Sequence, residues 1–203
     1  MGNSVSEYKV AKEVFAQGRD IILSDEAQQM KKFTQHGSTS VFEHALAVAK
    51  FSVIFAINLE NLLGIKIDHR ALVRGALLHD YFLYDWHEPS DKRRGLHGFT
   101  HPQIACENAI RDFDIPLIEQ DIIKHHMFPL TLIWPHSWEG WIVCFADKWC
   151  AICETFSIDV SSYIIYRVNL HYELVKGGIT LRRTHPARGI INKKPTPEGS
   201  AGD

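Results

Sequence analysis

The sequence lacks the features that mark secreted or membrane-embedded chains. It has only four cysteines in 203 residues, three of them between positions 144 and 153, which does not indicate a disulfide framework. We find neither an N-terminal signal pattern nor a long uncharged apolar run. We therefore expect a cytoplasmic protein without a membrane partner.

An excess of charge of one sign is also missing. The chain has 22 Lys and Arg against 24 Asp and Glu, a formal net charge of -2. Such a balance produces no overall field that would draw the protein to polymeric nucleic acid or to an anionic membrane. We expect neither as a partner, and an anionic substrate must be held by local groups.

Strand-like alternation of apolar and polar residues is absent from the sequence, whereas helical spacing recurs along most of it. The fold class predicted is all-α, a single-domain helical bundle. A capping box at Ser40 and Glu43 begins one helix, and Gly64 ends it. Asp68 caps the next helix, and Thr100 or a neighbour begins another, with Pro102 in its first turn. The remaining predicted helices span residues 5–23, 25–33, 114–126, 138–156 and 160–176; residues 35–39 and 84–98 are predicted loops.

Histidine, by contrast, is abundant, with 12 residues. Several histidines and two aspartates lie on the core-facing side or at the end of successive predicted helices. A metal ion in a helical bundle is held by side chains from several helices, because one helix presents few inward groups at one level. Imidazole and carboxylate together suit Fe, Mn, Ni or Zn, and the set is large enough for one or two such divalent ions. The candidate ligands are His44, His79, Asp80, His101, His125, His126 and Asp147.

Each of these residues also has an ordinary interpretation. His44 can be a hydrogen-bonded core histidine, and the pair His125 and His126 can be a solvent-facing helix end. Asp147 is harder to explain in this way, because its helical neighbours Cys144 and Ala151 are apolar or small. A carboxylate on such a face needs a partner or a metal.

The joint pattern resembles the HD-domain superfamily of metal-dependent phosphohydrolases. The resemblance extends over residues 39–156, and the segments that carry it are Phe42-Glu43-His44, Leu77-Leu78-His79-Asp80, His101-Pro102, Ile123-Lys124-His125-His126 and Phe145-Ala146-Asp147-Lys148. Together with the predicted helices and the composition of the C-terminal residues, it predicts an N-terminal helical extension over 1–38, the HD domain over 39–178, and a basic, then disordered tail over 179–203.

The resemblance also implies a division of the ligands. His44, His79, Asp80 and Asp147 would hold a first ion, and Asp80 would bridge to a second. His101 and one of His125 and His126 would hold that second ion, as in the two-metal branch of the family. We favour His126, because the family ligand commonly ends an Ile-x-x-His sequence.

Two substrate classes of the family are disfavoured. Members that cleave cyclic dinucleotides carry a Glu after the histidine pair, where this chain has Met127. Members that hydrolyse the alarmone pyrophosphate carry a Glu-Asp pair shortly after the His-Asp dipeptide, and this chain lacks it. The substrate expected is another phosphoester or phosphoanhydride, a nucleotide or a related small phosphate compound.

The mechanism implied is attack of a metal-activated water on phosphorus. Asp80 and Lys148 are the candidate catalytic residues, and the cations Arg74, Lys92, Arg93 and Arg94, together with His97, are candidates for substrate binding. A solvated charged loop is the other interpretation of residues 92–94. Two different functions stay open: a di-iron oxygenase on the same ligands, and a non-catalytic metal-binding regulatory module. The oligomeric state also stays open, a homo-oligomer included.

Overall fold

A computed structural model describes residues 6–86, 97–156 and 158 of the chain. Over these residues the fold is all-α apart from one two-stranded hairpin, which confirms the predicted class. The helices are α1 (Glu7–Ile22), α2 (Asp25–Gln28, continued by a 3-10 turn over Gln29–Lys32), α3 (Val41–Leu63), α4 (His69–Leu78), α5 (His97–Phe113), α6 (Leu117–His125) and α7 (Trp138–Thr155).

The helix ends follow the local capping chemistry. The Ser40 hydroxyl accepts a hydrogen bond from the Glu43 amide, and the Glu43 carboxylate accepts one from the Ser40 amide, so the predicted capping box begins α3. Gly64 ends α3 with φ of 67°, a left-handed conformation that favours glycine. Asp68 caps α4 by accepting from the Ala71 amide at 3.0 Å.

Helix α3 is the central element of the bundle and packs against α1, α4 and α7. By length and composition alone it would also suit a membrane span. Most side chains of its N-terminal half are buried against other helices, and they include the polar His44 and Lys50. The Lys50 ammonium reaches the Glu7 carboxylate at 2.9 Å. The apolar composition of α3 is therefore also typical of a buried central helix in a bundle.

Two local predictions differ from the structure. The predicted loop at 35–39 contains an antiparallel hairpin of Thr34–His36 and Thr39–Ser40, which turns at Gly37 with φ of 57°. Strands this short show no alternation in sequence. Helix α5 begins at His97, before Thr100, so that Pro102 lies beyond its first turn. The predicted helix over 160–176, the predicted tail and most of the loop over 84–98 fall outside the described residues.

Gly75 allows α4 and α6 to approach closely. A Cβ atom built on Gly75 would lie 2.7, 2.8 and 2.9 Å from Cδ1, Cγ2 and Cβ of Ile122. The Gly75→Ala variant should therefore unfold with a free energy lower by about 1 to 3 kcal/mol, although alanine is the better helix former. Denaturant unfolding measures this loss. In an Ile122→Ala background the same substitution should cost less, and an equal cost in both backgrounds would contradict the contact.

Candidate metal centre

Six polar side chains from five helical segments meet at one point inside the bundle. His44 comes from α3, His79 and Asp80 follow the end of α4, and His101 comes from α5. His126 directly follows α6, and Asp147 lies on α7. All six are buried, and Asp80 is 2% exposed. The bundle thus gathers charged and polar groups that burial would penalise if they lacked partners.

One half of this cluster is formed around Asp147. Its Oδ1 atom lies 3.1 Å from Nε2 of His44 and 3.6 Å from Nε2 of His79. The His79 Nε2 atom also lies 3.3 Å from Oδ2 of Asp80, and the His44 Nε2 atom lies 3.9 Å from the same oxygen. Two imidazoles and two carboxylates therefore present their donor atoms to a common space.

The other half is formed around the second oxygen of Asp80. Oδ1 of Asp80 lies 3.1 Å from Nε2 of His101 and 3.5 Å from Nε2 of His126. The two Nε2 atoms are 3.0 Å apart. Asp80 thus stands between two histidine pairs and presents one carboxylate oxygen to each.

The opposite nitrogens of three histidines are held by groups outside the cluster. Nδ1 of His79 and Nδ1 of His126 each lie 2.7 Å from a backbone carbonyl, those of Ala76 and Ile123. Because a carbonyl only accepts, Nδ1 carries the proton, and the Nε2 lone pair of a neutral ring is directed into the cluster. Nδ1 of His44 lies 2.9 Å from the Glu154 carboxylate, the carboxylate–histidine pairing common behind metal ligands.

The electrostatics of the cluster are strongly coupled. Burial by itself would raise the pKa of Asp80, yet the neighbouring His79 and the other imidazoles hold this pKa well below its usual range. The pKa of Asp147 is lowered in the same way by His44 and His79. Burial works to lower the pKa of His44, but hydrogen bonds to Asp147 and Glu154 outweigh it and raise the pKa to about 9. The ionised carboxylates of Asp80 and Asp147 are therefore stabilised by positive charge nearby, which protonated imidazoles or a bound cation can supply.

The residues present fit a metal ion. Nε2 of His79 and Oδ1 of Asp80 are buried without a hydrogen-bond partner in the described part of the chain. Each atom lies near other nitrogen or oxygen atoms of the cluster that could bind the same ion. Unpaired buried acceptors are costly unless a ligand satisfies them. Mixed imidazole and carboxylate donors suit first-row divalent ions. Two overlapping triplets bring their donor atoms close enough to hold an ion: His44, His79 and Asp147, and His79, Asp80 and His126. Because Nε2 of His79 can bind only one ion, the two triplets are alternative groupings around this residue.

A pocket of about 540 Å³ opens onto this cluster. Its floor includes Asp80, His101, His126 and Asp147. Lys148 lies at its edge, with its ammonium donating to the carbonyl of His126 at 2.8 Å and lying 3.9 Å from the Asp147 carboxylate. The remaining walls are largely apolar and are formed by Trp86, Met127, Pro129, Leu130 and Ala151.

The other candidates from the sequence lie elsewhere. His125 is directed away from the cluster and hydrogen-bonds Asp121, so that His126 alone of the pair faces Asp80. The Arg74 side chain is 3% exposed and pairs with Glu119 and Asp20. Arg74 is not among the residues that line the pocket. Lys92, Arg93 and Arg94 lie outside the described residues, as does the side chain of His97.

Two residues of the centre were not predicted from the sequence. Glu154 lies seven residues after Asp147, two turns along the same face of α7, a spacing that signals a shared site. Gln35 donates a hydrogen bond from Nε2 to Oδ2 of Asp80 at 2.6 Å. Its position in the hairpin carries no comparable signal, because only the tertiary fold brings residue 35 to the cluster.

Glu154 should control the metal affinity through His44. Replacing its carboxylate in Glu154→Gln weakens the polarisation and orientation of the imidazole, and we expect affinity for a divalent ion to fall about 10- to 100-fold. Metal titration measures this change. Glu139→Gln is the matched control, since Glu139 is a buried glutamate of the same helix whose carboxylate instead accepts from the Asp68 amide at 2.7 Å. Equal losses in both variants would contradict the role of Glu154.

Comparison with known proteins agrees with this geometry. Residues 41–152 match the family described as HD domain. A dihydroneopterin 2',3'-cyclic phosphate phosphodiesterase of Methanocaldococcus jannaschii is 29% identical over 113 residues, which cover 53% of this chain and 45% of that enzyme. The chain thus matches about half the length of this relative. No solved structure matches the chain. The matched span contains His44, His79, Asp80, His101, His126 and Asp147, and the chain belongs to the HD-domain family.

Proposed function

We propose that this protein is a metal-dependent phosphohydrolase that cleaves a small phosphoester, a nucleotide or a related heterocyclic phosphate. The observation that carries the proposal is the convergence of four imidazole Nε2 atoms on the two oxygens of Asp80 and on Asp147, at the floor of an open pocket. A family relative that is named as a cyclic phosphate phosphodiesterase supports it.

The arrangement of Asp80 supports a centre with two ions. Its Oδ2 atom faces His44 and His79, and its Oδ1 atom faces His101 and His126. Ions held in such a centre supply Lewis-acid polarisation of a phosphoryl oxygen and lower the pKa of water. Gln35 fixes the orientation of the Asp80 carboxylate by its hydrogen bond to Oδ2. This hydrogen bond thereby determines which Asp80 oxygen faces each histidine pair.

The pocket supports a substrate with an organic part beside its phosphate. Trp86, Leu130 and the other apolar walls suit a planar or apolar group, which they would shield from water. Lys148 offers a positive charge beside the cluster floor, where phosphate oxygens would lie. The pocket therefore suits a phosphoester with a heterocyclic or other weakly polar organic part.

Lys148 provides a test that separates substrate binding from metal binding. In Lys148→Met the metal donors stay, and the charge that balances the developing phosphoryl charge is removed. We expect kcat/KM to fall by about a hundredfold with unchanged metal content. Steady-state kinetics and elemental analysis measure both quantities. Unchanged kcat/KM would remove Lys148 from the catalytic residues.

A substrate screen tests the proposed function itself. Protein loaded separately with Fe, Mn, Ni or Zn is assayed with 2',3'-cyclic and 3',5'-cyclic nucleotides, mononucleotides, dinucleoside polyphosphates and nitrophenyl phosphoesters. We expect hydrolysis of at least one class, lost with a chelator and regained with metal. Full metal occupancy without any turnover would favour a regulatory module. Oxygen consumption by the iron-loaded protein without phosphoester hydrolysis would favour an oxygenase, and either result would overturn the proposal.

A further inference from the structure

A second cluster of potential metal ligands lies on the outer side of α6. Nδ1 of His125 lies 2.7 Å from Oδ1 of Asp121, four residues earlier on the same helix. Nδ1 of His136, which stands two residues before α7, lies 2.7 Å from the same oxygen. The two imidazole rings have centroids 5.1 Å apart. Two histidines and one aspartate from two segments of the chain therefore place their donor atoms together.

The spacing of these donors suits chelation. One donor atom from each residue lies within 4.8 Å of the other two. Bonds of about 2.0 to 2.2 Å in a tetrahedral site place the donor atoms roughly 3.4 Å apart. Each histidine nitrogen, which lies 2.7 Å from Oδ1 of Asp121, would therefore move away from this oxygen by about 0.7 Å. The i, i+4 spacing of Asp121 and His125 places both on one helix face, as in helical metal-binding pairs.

The aspartate is also held in the orientation that a ligand requires. Its other oxygen, Oδ2, accepts a hydrogen bond from the backbone amide of His136 at 3.0 Å, which leaves Oδ1 facing the two rings. Asp121 and His125 are each 17% exposed, whereas His136 is 61% exposed. The cluster is thus partly desolvated on the protein side and open on the other, where water can complete the coordination.

We propose that Asp121, His125 and His136 form a metal site separate from the buried centre. This site would bind Zn²⁺ or another late first-row divalent ion. Nitrogen donors with one carboxylate suit such ions better than Mg²⁺ or Ca²⁺. The site connects α6 to the segment before α7, and that segment includes the pocket walls Met127 and Leu130. Occupation would therefore tie the pocket wall to α6, the helix that directly precedes the ligand His126.

Titration of the full chain with Zn²⁺ tests this site. We expect the wild type to bind one equivalent more than His136→Ala, or to bind its last equivalent at least about a hundredfold more tightly. Because the His136 side chain is 61% exposed, we expect His136→Ala to fold like the wild type. Asp121→Asn should give the same loss of Zn²⁺ binding. Metal in the buried centre should be unchanged in both variants.

His69→Ala is the matched control. The His69 ring lies near the carboxylates of Glu60 and Glu13, at 3.1 and 3.7 Å, and among the described residues no second imidazole pairs with either carboxylate. We expect this variant to bind the same number of equivalents as the wild type. Equal Zn²⁺ stoichiometry and affinity in wild type and His136→Ala would overturn the proposal. So would loss of the same equivalent in His69→Ala, because the binding would then belong to surface histidines in general.

Discussion

Replacing Asp80 with Asn should remove metal-dependent hydrolysis and the metal itself. Asp80 is the one described side chain that faces both histidine pairs, with one oxygen toward each. An amide supplies one weak oxygen donor and no charge, so both halves of the centre lose a ligand. Because metal assistance is worth several kcal/mol in the transition state, we expect activity to fall by at least about a thousandfold. Elemental analysis and steady-state kinetics measure the two losses.

Thermal unfolding gives a second measurement of the same substitution. An ion that binds only the folded chain at about 100 times its dissociation constant stabilises it by about 2.7 kcal/mol. Wild type should show this stabilisation on metal addition, and Asp80→Asn should not. Asp112→Asn is the control, since Asp112 is a mostly buried carboxylate that accepts from the Tyr81 hydroxyl at 2.8 Å, away from the cluster. Full activity in Asp80→Asn would disprove the proposed centre.

Replacing Arg74 with Met should produce the largest loss of stability. The Nε atom of Arg74 donates to both carboxylate oxygens of Glu119, at 2.9 and 3.0 Å, and both side chains are nearly inaccessible. Removing the guanidinium leaves a buried carboxylate without its counter-charge, for which we expect a cost of about 3 to 5 kcal/mol in the free energy of unfolding. Denaturant unfolding measures it.

The double variant and the pH dependence identify the cause. Arg74→Met combined with Glu119→Leu should recover most of the loss, because no buried charge remains.

Burial already raises the pKa of Glu119 despite Arg74, and removal of Arg74 should raise it further. A raised pKa in the folded state means that stability is present at low pH and lost as the pH rises through that pKa. The deficit of Arg74→Met should therefore shrink toward acidic pH, and a deficit independent of pH would point to lost packing instead.

Arg74 and Glu154 show which side-chain contacts can be predicted from the sequence and which cannot. The sequence indicates Arg74 as a candidate for phosphate binding and does not indicate its partner Glu119, which lies on a different helix. Glu154 shared a helix face with Asp147 and was recoverable from spacing, whereas Gln35 was not. Local patterns carry information along one helix, and contacts between distant segments depend on how the helices pack.

The helical class, the capping of α3 and α4, and the donor types of the buried centre can be predicted from the sequence, because they depend on nearest neighbours and on side-chain chemistry. The folded chain is needed to show that His126 faces Asp80 while His125 faces Asp121. Successive residues at a helix end differ by about 100° in direction, so which of them faces the core depends on the packing of that helix. The packing of the helices also places each oxygen of Asp80 beside a different histidine pair.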